Sequence, residues 1–144
     1  MQIEGKYIVD ASPERVYAAL LDPAVLAACI PGCSRFERIK DNTYEVTLTV
    51  GISMVRGTYK GSVTILDQDP PRSCVLSLEG SGAPGFITGR AHFNIIPKDG
   101  DSEIQITSAV EVGGPIARVG QRVMEGISKH LIGQFFRSLG QRLQ

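Results

Sequence analysis

Residues 44–54 read Tyr-Glu-Val-Thr-Leu-Thr-Val-Gly-Ile-Ser-Met. Tyr44, Val46, Leu48, Val50, Ile52 and Met54 fall on one face of an extended chain, and Glu45, Thr47 and Thr49 fall on the other. Alternation with period two predicts a strand half buried against a core. One apolar and one polar face predict an antiparallel sheet covered on one side only. Residues 57–66 repeat the pattern, with Tyr59, Gly61, Val63 and Ile65 opposite Thr58, Lys60, Ser62 and Thr64. Working outward, Arg35–Lys40 reads as a strand joined to the first by a tight turn at Asp41-Asn42. Beyond the turn at Asp69-Pro-Pro-Arg72, residues 74–79, 86–96 and 103–112 read as three more strands, the last two joined through Lys98-Asp-Gly-Asp101. Six consecutive antiparallel strands result, with internal glycines that permit the sheet to bend.

Upstream, Ile3, Gly5, Tyr7 and Val9 alternate with Gln2, Glu4 and Lys6, which predicts a first strand. Ser12-Pro13-Glu14 then carries three helix-start signals: an N-cap hydroxyl, a proline at the first helical position and an acid at the positive end of the dipole. A short helix follows through Leu20. Asp22-Pro23 repeats the signal for a second one over 24–29, stopped by Ile30-Pro31-Gly32. Downstream, Gly113-Gly-Pro115 opens a predicted helix of about 28 residues, roughly 42 Å long.

On a helical wheel the first half of that segment is clean. Ile116, Val119, Gly120, Val123, Met124, Ile127 and Leu131 share a face, with Arg118, Gln121, Arg122, Glu125 and Lys129 opposite. After Leu131 the apolar face moves: Ile132, Phe136, Leu139 and Leu143 fall on the side held earlier by Arg118, Arg122 and Lys129. Two readings follow. The stripe drifts as the helix follows a twisted sheet, or these four residues, beside Arg122 and Lys129, form an exposed docking surface for a membrane or a partner. Gly126, Gly133 and Gly140, spaced by seven, suggest close approach of another backbone, and Gly120 suggests either the wall of a cavity or a close sheet. A sheet with one apolar face and a long amphipathic helix must bury them against each other. The fold class is α+β, a curved seven-stranded antiparallel sheet wrapped around a long C-terminal helix, with two short helices after strand 1.

Composition narrows the function. The chain has 144 residues, one domain's worth, with 42% hydrophobic and 21% charged residues, as in ordinary globular proteins. Fifteen basic residues balance fifteen acidic ones, which argues against nucleic-acid binding. No apolar run approaches the ~18 residues of a membrane span, and the first residues lack a charged n-region followed by an apolar h-region. Three cysteines suggest reduced thiols in a cytoplasmic compartment rather than a disulfide scaffold.

Local motifs add little chemistry. Gly80-Ser-Gly82-Ala-Pro-Gly85 matches the G-x-G-x-x-G pattern, but a strand rather than a helix is predicted after it, so a hairpin loop is the expectation. Cys29 and Cys33 lack two further ligands at metal-site spacing. Arg90, His92 and Asn94 alternate with Ala91, Phe93 and Ile95 and read as a solvated outer face. No catalytic residue and no metal ligand is assigned. What remains is volume between sheet and helix. Leu48, Val50, Ile52, Met54, Tyr59, Leu76, Phe86, Ile116, Gly120, Val123, Met124 and Ile127 are the expected lining of a mostly apolar ligand pocket.

The element order resembles the helix-grip fold of START-like and Bet v 1-like proteins. More specifically, the sequence resembles the CoxG family of carbon monoxide dehydrogenase proteins. The resemblance is carried by Ile30-Pro-Gly-Cys33, Gly57-Thr-Tyr-Lys-Gly61, Gly80-Ser-Gly82 with Gly85-Phe-Ile-Thr-Gly89, Gly113-Gly-Pro-Ile-Ala117 and Gln134-Phe-Phe136. It implies a non-catalytic carrier or adaptor with no covalently bound cofactor. The implied ligand is a lipophilic quinone of menaquinone type or another isoprenoid lipid. The implied partner is a molybdenum hydroxylase, carbon monoxide dehydrogenase, at the inner face of the cytoplasmic membrane. Many members continue past the long helix into a membrane-anchoring segment; the sequence ends at Gln144, which leaves reversible contact through the last helix as the expectation. Two alternatives stand beside this one: an assembly or docking protein without ligand carriage, and a cyclase- or hydrolase-like enzyme. Convergent polar residues in the cavity would mark the enzyme, a dry apolar cavity the carrier, and a collapsed cavity the docking protein.

Overall fold

A computed structural model describes all residues, 1–144. The order is β1 (Gln2–Val9), α1 (Pro13–Leu20), α2 (Pro23–Cys29), β2 (Cys33–Lys40), β3 (Thr43–Val50), β4 (Gly57–Asp69), β5 (Ser73–Gly82), β6 (Gly85–Lys98), β7 (Asp101–Gly113), a 3-10 helix (Pro115–Val119) and α3 (Gln121–Leu143). One seven-stranded antiparallel sheet runs β1-β7-β6-β5-β4-β3-β2. The expected α+β helix-grip architecture is present.

The predicted helix starts are built as read. The Ser12 side chain accepts from the Arg15 amide and the Asp22 carboxylate from the Ala24 amide, with proline next in each helix. Such caps satisfy amides that have no partner inside the helix. Ser102, fully buried, donates its hydroxyl to the Ala11 carbonyl at 2.7 Å and ties the β1–α1 corner to β7.

The main core joins α1, α2, the sheet and the second half of α3 around Val9, Val16, Ile104, Phe136 and Leu139. This corrects the docking-surface reading. Leu139 is 0% exposed, Phe136 is 5% exposed with its ring stacked on Tyr7 at 4.7 Å, and Ile132 and Leu143 pack against the same core. The stripe drifts because the helix leaves the cavity half of the sheet and settles on β1 and α2. Arg122 and Lys129 remain exposed but belong to no apolar patch around these four residues.

Three further expectations change. The third strand ends at Val50, whose partner Gly57 is the last in the β3–β4 ladder, so 51–56 form a loop and not strand. The long helix is broken: Gly120 has φ +97°, a left-handed region that favours glycine, and it separates the 3-10 turn from α3. Gly126, Gly133 and Gly140 face open space, with nothing within 4 Å of a built Cβ, so no backbone approaches them.

Cys74 offers a test of core burial. It is buried, and loss of water pushes its thiol up to about 11. The unfolded chain releases that proton near the ordinary value of about 8.5, before the folded chain does. Its contribution to stability is therefore complete below about pH 8.5 and is lost as pH rises through about 11. Urea melts should show a falling midpoint over that window, and Cys74→Ala should flatten the fall.

Candidate functional site

A cavity of about 270 Å³ lies between the inner face of β3–β6 and the first half of α3. Its floor is made by missing side chains. One row of the sheet runs Val46, Gly61, Gly80, Ile87 across four strands, so two adjacent positions on the inner face carry no side chain. The next row toward the core, Tyr44, Val63, Leu78, is filled. The roof is Met124, Ile127, Ser128 and Leu131, spaced as one face of a helix. Val55 and Ile116 close one end; they form a small buried cluster with Met124, separate from the main core.

The walls are mostly carbon, since fourteen of the twenty lining residues are hydrophobic. Lys60, Ser62 and Glu79 belong to the outward-facing set of their strands, where the Ser62 hydroxyl donates to the Glu79 carboxylate at 3.3 Å. Their backbone, not their charge, meets the cavity. The polar side chains left are Tyr59 and Ser128. The Tyr59 hydroxyl donates to the Val55 carbonyl at 2.6 Å and so pins the 51–56 loop to the cavity wall. Burial raises its pKa. No histidine, cysteine or aspartate lines the space. The arrangement can enclose an apolar body and offer it one helix hydroxyl. It holds no base–nucleophile pair of the kind acid–base catalysis requires.

Of the residues expected from sequence, Leu48, Val50, Tyr59, Ile116, Met124 and Ile127 line the cavity. The others are elsewhere. Ile52 packs beside Val55 and Ile116 behind the wall, and Leu76 faces inward but joins the main core. Met54 is 56% exposed on the loop. Phe86 is 50% exposed, because period two places it with Arg90 and His92 on the outer face, where its ring covers Gly113. Ile87 takes the inner place. Val123 is 41% exposed on the outward side of α3. Gly120 meets nothing within 4 Å and therefore makes no room in the cavity. Sequence reasoning missed Gly61 and Gly80 as the source of the volume. Gly61 stood in the inward series with Tyr59 and Val63, but only the β4–β5 register brings Gly80 beside it.

The remaining candidates settle plainly. Gly80–Gly85 is the β5–β6 hairpin, with no helix behind it to receive a phosphate. No three His, Cys, Asp or Glu side chains converge. Burial raises the pKa of Cys29 and Cys33. A broader depression of about 760 Å³ lies on the outer sheet face, walled by Ser62, Thr64, Ser77, Glu79, Thr88 and Arg90. It is open to water and polar, so it is a poor match for an apolar ligand.

A solved structure described as a conserved protein from Geobacillus kaustophilus is 32% identical to the chain, with TM-score 0.96 over 99% of this chain and 95% of that one. A START superfamily protein from Mycobacterium smegmatis, 13% identical, aligns with TM-score 0.76 over 99% and 96%. A protein from Chromobacterium violaceum, 17% identical, aligns with TM-score 0.73 over 99% and 96%. The last two show a shared fold. No curated protein matches the sequence. The family model for the CoxG protein of carbon monoxide dehydrogenase matches residues 5–144, nearly the whole chain. The chain belongs to the CoxG family of carbon monoxide dehydrogenase proteins.

Proposed function

We propose that the protein is a non-catalytic carrier that holds a lipophilic small molecule in the cavity under α3. Family and fold both point to ligand binding or carriage. The observation that carries the reading is the carbon-lined cavity opened by the adjacent Gly61 and Gly80. A fold that needed only stability would fill that row, because burying a large apolar side chain contributes about 1.5–3 kcal/mol.

The proposed ligand is a menaquinone-type quinone, and the proposed partner is a molybdenum-containing carbon monoxide dehydrogenase. The volume supports a ring system: about 270 Å³ is roughly nine times the ~30 Å³ that a water occupies in the liquid. A fused two-ring head is of that order, and a long isoprenoid tail must leave the cavity. No helix of the chain is long and apolar enough to cross a membrane. The proposed place of work is the cytoplasm and the inner face of its membrane, by peripheral contact.

Calorimetric titration with naphthoquinones of increasing tail length tests this. Affinity should rise with the first isoprenoid unit, whose buried CH₂ groups contribute about 0.8 kcal/mol each, and then level off as further units lie outside. Tightest binding to a sulfonated, water-soluble quinone, or no binding to any member of the series, would remove the carrier reading.

A further inference from the structure

Charge and exposed apolar surface are sorted along the long axis of the molecule. One end is made by the 51–56 loop, the β5–β6 hairpin and the 3-10 turn that leads into α3. These segments are tied together: the Ile116 amide donates to the Pro84 carbonyl at 2.8 Å, and Pro84 lies against Gly57. Val55, Ile116 and Met124 pack there as one cluster. Residues 51–59, 82–88 and 113–124 contain Arg56, Arg118 and Arg122 and no acid at all. None of the three arginines forms an ion pair. The nearest carboxylates, Glu111 and Glu125, sit further in, and Glu125 accepts from Gln121.

The same end carries three of the six large apolar side chains that the fold leaves exposed: Met54, Phe86 and Val123. The opposite end is its electrostatic reverse. Asp10 follows β1, and Asp41, Asp67, Asp69, Asp99 and Asp101 occupy the three hairpin connections there, so six of the seven aspartates in the chain collect at that end. Its cations are paired: Arg38 with Asp41, Arg72 with Asp69, and Lys98 with Glu103. Asp10 and Asp99 crowd Asp101 closely enough to raise its pKa.

We propose that the arginine end is a docking surface for an anionic lipid bilayer. Cations lead, apolar side chains stand among them, and the aspartate end is repelled, so the molecule meets the bilayer in one orientation. Unpaired arginines over an anionic surface match the charge that the lipid supplies. Met54, Phe86 and Val123 supply the apolar insertion that a purely electrostatic contact lacks. An acidic protein would satisfy the arginines but leaves three scattered apolar side chains without a defined pocket, so the bilayer is the better match. The end also contains Val55 and Ile116, the residues that close the cavity, which sets the ligand space against the lipid. The docking surface stands on its own observations and does not depend on which ligand the cavity holds.

The full chain is tested by sedimentation with phosphatidylcholine vesicles and with vesicles containing equal parts of phosphatidylglycerol. It should pellet with the anionic vesicles and stay in solution with the neutral ones. Added salt should weaken the binding. The triple variant Arg56→Glu, Arg118→Glu, Arg122→Glu should bind roughly 100-fold more weakly, at about tenfold or less per cation. The chain contains no tryptophan, so single introduced indoles report insertion. Val123→Trp should shift its emission to the blue on anionic vesicles, and Ile39→Trp, at the aspartate end, should not. Wild-type binding to neither vesicle overturns the proposal and makes an acidic protein the partner. Equal shifts from both indoles overturn the orientation. Unchanged affinity in the folded triple variant overturns the assignment of the arginines.

Discussion

Gly80→Leu is expected to remove ligand binding while the domain stays folded. A Cβ built at Gly80 lies 3.7 Å from the Lys60 carbonyl oxygen and 3.8 Å from Ile87 Cγ2, which is ordinary van der Waals contact. Its backbone is not in the left-handed region. The four side-chain carbons of leucine would then enter a space of about 270 Å³ between Gly61, Ile87 and the helix roof. Ligand affinity should fall at least tenfold, about 1.4 kcal/mol. Stability should hold or rise by up to about 1 kcal/mol, because a glycine leaves the unfolded chain. Gly61 offers no such experiment: a side chain there collides with the Glu79 carbonyl oxygen. Paired calorimetry and urea melts check both halves. A folded Gly80→Leu protein that binds as tightly as wild type would show that the ligand sits elsewhere.

Leu139→Ala should be among the most damaging single changes in the chain. Leu139 is 0% exposed, inside the cluster that joins α3 to α1, α2 and the sheet. Leucine-to-alanine changes at such sites cost about 2–5 kcal/mol, the upper values where the surroundings do not relax. A domain of this size should melt roughly 5–15 °C lower, at about 3 °C per kcal/mol. The prediction matters because the helix wheel permitted the opposite. Had Leu139 been part of a docking surface, its truncation would cost little stability and abolish partner binding. Denaturant melts beside vesicle sedimentation separate the two outcomes.

The wheel misled for a physical reason. It assumes one partner surface along the whole helix. Here Met124 and Ile127 face the cavity half of the sheet, while Phe136 and Leu139 face β1 and the short helices. A helix that crosses from one partner to another presents two stripes, and their relation depends on tertiary geometry. The strand alternation was more reliable because pleating links neighbours directly: Tyr44 to Val50, Tyr59 to Ile65 and the outward Arg90–His92–Asn94 set all lie as read. It failed at its ends. Ile52 and Met54 continue the pattern by composition alone, after pairing has stopped at Val50. Gly120 was legible as unusual but not as a break, since a glycine in a helix and a glycine before one look alike until φ is known. The cavity was half legible. Its aliphatic wall could be read strand by strand, whereas the Gly61–Gly80 pair exists only once β4 and β5 are in register.

The sorting of Arg56, Arg118 and Arg122 from the aspartates has a consequence for the protein as a solute. Its formal net charge is zero, yet it behaves as a dipole rather than as an uncharged sphere. Neighbouring molecules can align head to tail, arginine end to aspartate end, with no specific interface between them. Such contacts weaken as the Debye length shortens. The protein should therefore salt in near neutral pH, dissolving better in moderate ionic strength than in dilute buffer.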